Sequence, residues 1–557
     1  MTDAASPSLL SRLAARPALW LLALCLCLWL PGALSLPPLD RDESRFAQAS
    51  KQMIETGDYV DIRFSTGTRY NKPVGIYWLQ TAATKALGGG AHDRIWTYRV
   101  PSLIGGYVAV LLLYWLARAF TKPETALAAA ALLGASVLLV AETQIATTDA
   151  VLLAATLGAQ AVFFRIYISA RDAAKPPPSR LVVLAGWFAL GVGVLVKGPV
   201  TVAIIALTAL AVSLWDRDWT WLKRTRAWEG FLVVAVVVLP WLIAISIHSH
   251  GAFYRQSLGH DFADKLVSGQ ESHGAPPGYY LLLGTLTLWP AVLFVLPALR
   301  TAWRDRASPA VRYLLVWAVT SWAMFEVVPT KLPHYILPAY PALILLAAVA
   351  IFEQASPSRV DRILRIIAGV QFAIGVAALA FVAFAAPVRF GASLAWPFMA
   401  LAAAGAVAGL VTLIFVARGR RVEALFAALA TAVLLVPTLT AGAAPRLDAL
   451  WVSPRAAALV AKDSRHGDPP PIIAGYAEPS LIFLLGTDTR VGTGATAAPT
   501  AVAQGGLALV EDRERDAFLG GLAARDTQAF PVDALSGYDY SHGRPVHITI
   551  YRVVPAE

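Results

Sequence analysis

The chain has 557 residues, 57% of them hydrophobic and 15% charged, with a mean hydropathy of +0.59. Soluble proteins run nearer a quarter charged, so a water-soluble enzyme is excluded, and a disordered chain could not hide this much apolar surface. The cation surplus (46 Lys and Arg against 36 Asp and Glu) has a natural place on the cytoplasmic loops of a membrane protein.

In chain order, apolar runs of about 17–25 residues, long enough to cross a bilayer, lie at 17–36, 99–117, 124–141, 146–166, 181–196, 199–215 and 229–247. Others follow at 279–299, 311–328, 335–353, 363–386, 394–417 and 422–441, about thirteen in all. They must be helical, because unpaired backbone groups in lipid cost several kcal/mol each. With Arg12 and Arg16 in the cytoplasm, every second loop is basic, through Arg118, Arg171, Arg224, Arg304, Arg362 and Arg420. The first run ends in Ala33-Leu34-Ser35, which also fits a signal cleavage site, but a retained span keeps the charge alternation intact. Its Cys25 and Cys27 are the chain's two cysteines, too few for a disulfide framework.

The odd count places the chain from 442 to 557 outside, where strand-like Gly506-Leu507-Ala508-Leu509-Val510 and alternating Val546 to Tyr551 indicate a small α/β domain. The expected fold class is therefore mainly α: a polytopic membrane protein of about thirteen helices with a C-terminal α/β domain. Residues 1–441 form the membrane part, with large outer loops at 37–98 and 248–278. No internal repeat is evident, which disfavours a transporter or lipid flippase.

The first outer loop is the most informative segment. It runs Asp40-Arg41-Asp42-Glu43-Ser44-Arg45, then Arg69-Tyr70-Asn71-Lys72-Pro73, with two short amphipathic helices expected along the membrane surface. Asp42 fits an N-cap and Gly57 a C-terminal stop, yet local structure does not explain so much charge of both signs beside the outer leaflet. Lys197 and Lys331 stand at the outer ends of spans, Arg389 reads as a snorkelling cation, and Asp149 lies at the mouth of the fourth span. The second outer loop gathers His248, His250, His260, Glu271 and His273, an oxygen and nitrogen donor set suited to a divalent ion such as zinc. Its spacing matches no closed zinc motif.

Five motifs in order on the outer face carry a resemblance. They are Asp42-Glu43-Ser44-Arg45, Lys72-Pro73 to Tyr77-Trp78, Lys197-Gly198, the stretch from His273 to Tyr279-Tyr280, and Lys331-Leu332-Pro333 to Leu337. Together they resemble the lipid A aminoarabinose transferases, GT-C membrane glycosyltransferases related to the protein mannosyltransferases. The resemblance implies transfer of 4-amino-4-deoxy-L-arabinose from undecaprenyl phosphate to a lipid A phosphate. It places the reaction at the periplasmic face of the bacterial inner membrane, with resistance to polymyxin and cationic peptides as the outcome. It makes Asp42, Glu43 and Asp149 the candidate catalytic acids, and Arg45, Tyr70, Lys72, Lys197, Lys331 and Tyr335 the candidate substrate-binding groups. A metal would fall to His260, His273 and Glu271. The family often has an acid before Lys-Pro, whereas here it is Asn71, and the His273 stretch is one residue longer than the pattern. Another polyprenyl-phosphate-sugar transferase, with a protein or glycan acceptor, is the alternative. No nucleotide or nucleic acid is implied, in keeping with the absence of a Gly-rich phosphate loop, and a monomer is expected.

Overall fold

The computed structural model describes residues 9–257, 275–353, 358–391 and 395–554. Helix α1 (Pro17–Ser35) leads into a surface segment with α2 (Asp42–Thr56) and α3 (Gly75–Leu87). After it come α4 (Ile95–Ala117), α5 (Pro123–Ala135), α6 (Val137–Thr143), α7 (Asp149–Ser169), α8 (Arg180–Lys197), α9 (Val200–Asp216) and α10 (Ala227–His248). Then follow α11 (Tyr279–Thr287), α12 (Val292–Arg304), α13 (Pro309–Val327), α14 (Tyr340–Phe352), α15 (Arg359–Phe390), α16 (Trp396–Ala417) and α17 (Arg421–Pro437).

Among the described residues, ten helical segments are long and apolar enough to cross a membrane, or eleven when the bent α5–α6 pair counts as one crossing. The apolar run at 199–215 forms α9, which has only 17 residues. The run at 279–299 is split into α11 and α12 on either side of Trp289-Pro290. A crossing count therefore differs from a count of apolar runs wherever a helix is short or broken.

The last hundred residues are built differently. A five-stranded sheet has the order Arg490–Gly492, Ile472–Ala474, Gly506–Glu511, Arg544–Val554, Gln528–Asp539; the first three are mutually parallel and the last two antiparallel. Strand alternation gives it two apolar faces. Ile473, Leu507 and Leu509 pack with the Val452–Asp463 helix, whereas Ile472, Ala508 and Val510 pack with Phe518 and Leu522.

This unit sits on the surface segment. Lys51 on α2 is buried and donates to the Phe483 carbonyl at 3.1 Å, and Gln48 donates to Thr487 at 2.7 Å. The backbone N–H of Asp40 donates to the Tyr540 hydroxyl at 2.7 Å, and Ser480 donates to the Asp40 carboxyl. The surface segment and the C-terminal sheet thus share one side of the helical bundle.

Candidate functional site

The site begins with helix ends. A 61° bend between α5 and α6 turns the end of α6, with Glu142, toward the start of α7, whose first residue is Asp149. The first-turn N–H groups of a helix lack partners within it and favour an anion. At the end of α8, Lys197 meets the complementary negative end of a helix. Gly198 follows at φ +67°, a conformation that suits glycine, and lets the chain turn straight into α9.

These ends bring four ionisable side chains together. Lys197 Nζ lies 2.6 Å from Asp149 Oδ1, and the Thr148 hydroxyl donates to Asp149 Oδ2 at 2.9 Å. His334 reaches both acids, with Nε2 3.9 Å from Asp149 and Nδ1 3.7 Å from Glu142. Thr147 donates to Glu142 Oε2 at 2.9 Å. Lys197 also stands 5.0 Å from the centre of the Tyr335 ring. Asp149 and Glu142 are both only 5% exposed.

Asp42 and Lys72 flank this set, close enough for both charges to act on His334. Asp42 is the more open, with its side chain 57% exposed, and Arg45 Nη1 lies 3.9 Å away. Just before it, Arg41 has φ +61°, a costly conformation for a residue with a Cβ, and its guanidinium donates to the Ser541 carbonyl of the C-terminal unit. The strained residue and its tether aim the start of α2.

Three expected site residues are engaged elsewhere. Glu43 is expected from the resemblance to be catalytic, but both its oxygens are taken by Arg99, at 2.7 and 2.8 Å, and by the backbone N–H groups of Leu39 and Ala146. Arg99 donates further to the carbonyls of Ala33, Leu36 and Pro37, so this fully buried pair fastens the surface segment to α1 and α4. Lys331 is expected to bind substrate, but it is 3% exposed and its ammonium donates to the carbonyls of Phe325, Glu326 and Val328. Tyr70, with the same expected role, is 4% exposed and donates its hydroxyl to Asp61 at 2.7 Å; burial raises its pKa. Each of these groups is satisfied inside the protein: Glu43 has no acceptor site left for a ligand, and Lys331 and Tyr70 have no donor left.

Two members of the set were not among the expected residues. His334 lies inside the Lys331-Leu332-Pro333 motif, and Glu142 is an acid at the end of an apolar run, which is the signal that could have singled it out. The expected metal ligands His260, Glu271 and His273 lie outside the described residues. Among the described ones, Glu142, Asp149 and His334 bring ligand atoms within 4.8 Å of one another. The Lys197 ammonium and the Thr148 hydroxyl each donate to one oxygen of Asp149, so a divalent ion held by this set would share that acid with Lys197.

The model of the dolichyl-phosphate-mannose-protein mannosyltransferase family matches residues 16–252. An undecaprenyl phosphate-alpha-4-amino-4-deoxy-L-arabinose arabinosyl transferase of Pseudomonas paraeruginosa is 31% identical over 335 residues, 59% of this chain and 56% of that protein. An enzyme of the same name from Edwardsiella ictaluri is 29% identical over 324 residues. The matched stretch thus spans just over half the length of these relatives. The crystal structure of ArnT from Cupriavidus metallidurans bound to undecaprenyl phosphate superposes with a TM-score of 0.72, over 95% of this chain and 97% of that one, at 22% identity. The fold is that of ArnT. The oligosaccharyltransferase AglB of Archaeoglobus fulgidus is a more distant structural neighbour, with a TM-score of 0.55 at 13% identity. With these likenesses and its apolar helices, the chain is a multi-pass membrane protein.

Proposed function

We propose that the protein is a glycosyltransferase of the inner membrane. It transfers 4-amino-4-deoxy-L-arabinose from undecaprenyl phosphate to a lipid A phosphate on the periplasmic side, which confers resistance to polymyxin and cationic peptides. The observation that carries this reading is the buried set of Asp149, Lys197, His334 and Glu142, flanked by Asp42 and Lys72 at the mouth of the bundle. The names borne by the relatives supply the sugar and the carrier.

In such a transfer the bond between the anomeric carbon and the carrier phosphate breaks. Negative charge grows on the departing phosphate and positive charge on the sugar ring. Cations fixed beside the phosphate stabilise that state more than the ground state. Lys72, whose charge acts on His334, and Arg45, 3.9 Å from Asp42, take this role, while Lys197, bound to Asp149, holds that acid in place. The incoming phosphate of lipid A is already ionised near neutral pH and scarcely needs a base. Asp42 therefore orients the acceptor, and Asp149 supplies negative charge toward the cationic sugar. Attack from the side opposite the leaving group inverts the anomeric centre.

Expression in a bacterium lacking its own transferase, followed by mass spectrometry of its lipid A, tests the reading. Lipid A phosphate carrying a basic aminopentose is the expected result, lost in Asp149→Asn. Unmodified lipid A together with a newly glycosylated protein or glycan would favour the other polyprenyl-phosphate transferases, toward which the mannosyltransferase match points.

A further inference from the structure

A groove of about 860 Å3 runs along the outside of the bundle between α4 and α8, with α7 as its floor and α3 at its site end. Apart from the indole of Trp115, only aliphatic and aromatic side chains and glycine line it. From Val100 to Trp115 it follows α4 for about 22 Å, much of the thickness of a hydrocarbon core. Its floor is a single stripe of α7, Val151, Ala154, Gly158 and Val162, at the three- and four-residue spacing of one helix face.

That stripe ends in a charge. Arg165 stands seven residues after Gly158 and three after Val162, and its guanidinium lies 3.9 Å from the centre of the Trp115 ring at the far end of the groove. Its Nε is buried without a hydrogen-bond partner. Arg118, exposed at the end of α4, is near enough for its like charge to act on Arg165. Among the described residues no carboxylate pairs with either. Two other arginines at this end are neutralised: Arg171 lies 2.6 Å from Asp216 and 3.1 Å from Asp218, and Arg312 also pairs with Asp216. Two unneutralised guanidinium groups at the edge of a bilayer call for an anion from outside the chain.

We propose that this groove binds a phospholipid with an anionic headgroup, its phosphate held by Arg165 and Arg118 and an acyl chain laid along the stripe of α7. The headgroup lies in the leaflet away from the transfer site, because Arg165 is sixteen residues, or about 24 Å of helix, from Asp149. A sugar donor or acceptor, whose phosphate is needed beside Lys72 and Arg45 at the Asp149 end, is thereby distinguished from this lipid. The inference does not depend on which sugar is transferred.

Native mass spectrometry of the full chain, released from nanodiscs of equimolar phosphatidylglycerol and phosphatidylcholine, tests it. The wild type is expected to retain phosphatidylglycerol over phosphatidylcholine by roughly tenfold, and the double variant Arg165→Gln/Arg118→Gln to retain them equally. Ala185→Trp, which fills the groove from an exposed wall position and leaves both cations in place, is expected to lower retention of both lipids. Equal retention by the wild type, an unchanged preference in the double variant, or displacement of phosphatidylglycerol by added undecaprenyl phosphate would overturn the assignment.

Discussion

Burial of the Asp149–Lys197 pair has separate consequences for stability and for chemistry. Removing one partner leaves a buried charge without compensation, a loss of about 3–5 kcal/mol, whereas removing both costs much less. Thermal unfolding in detergent is therefore expected to show Lys197→Met well below wild type and Asp149→Asn/Lys197→Met closer to it, although both lack transfer activity. Glu43 and Arg99 form the contrasting case. Glu43→Gln weakens the fastening of the surface segment, and activity per folded molecule is expected to survive, because Glu43 has no oxygen left for a substrate. A Glu43→Gln protein that is fully folded yet inactive would return this residue to the catalytic set. At Lys331, too, burial decides the role, since three backbone carbonyls already satisfy the ammonium.

Between elements, the contact most open to perturbation joins the surface segment to the C-terminal sheet. Burial, reinforced by the nearby charges of Glu478 and Asp539, raises the Asp40 carboxyl from 3.8 to about 7. Between these two values the folded protein holds a proton that the unfolded chain has lost, so stability falls as pH rises through this range. The contact is expected to be firmest near the acid end of the window and loosest above pH 7. Hydrogen exchange of the Pro479–Leu485 helix should quicken accordingly, and Asp40→Asn should flatten the dependence. The elements themselves differ in how readily the sequence discloses them. The alternation from Val546 to Tyr551 marks a strand of the sheet, and the paired charges between Asp42 and Gly57 mark a surface helix. The breaks are harder to see, because the bend at Ser136 and the division beside Trp289-Pro290 interrupt runs that are continuous in hydropathy.

At the scale of the whole molecule, the site is assembled from residues 42, 72, 142, 149, 197 and 334, which belong to well-separated stretches of chain. Hydropathy locates most of the long apolar helices, because it is a local property. Pairing across the fold is not local, so the sequence carries no sign that Arg99 would claim Glu43, or that Asp61 would take the Tyr70 hydroxyl. Asp149 and Lys197 show the opposite outcome: each was singled out alone as a charge at a span mouth, and the fold makes them partners at 2.6 Å. The shared side of the surface segment and the C-terminal sheet also means that a membrane-impermeant cysteine reagent applied to one side should reach Asp42→Cys and Arg525→Cys alike. Labelling of only one would contradict the arrangement.

The most direct test reconstitutes the purified protein in liposomes with synthetic undecaprenyl phosphate-4-amino-4-deoxy-L-arabinose and lipid A. The account predicts release of undecaprenyl phosphate matched by gain of one aminopentose on lipid A, with Asp149→Asn and Asp42→Asn each lowering the rate at least about 100-fold while remaining folded. Undiminished turnover in both variants, or a folded wild-type protein that leaves this donor intact, would contradict it.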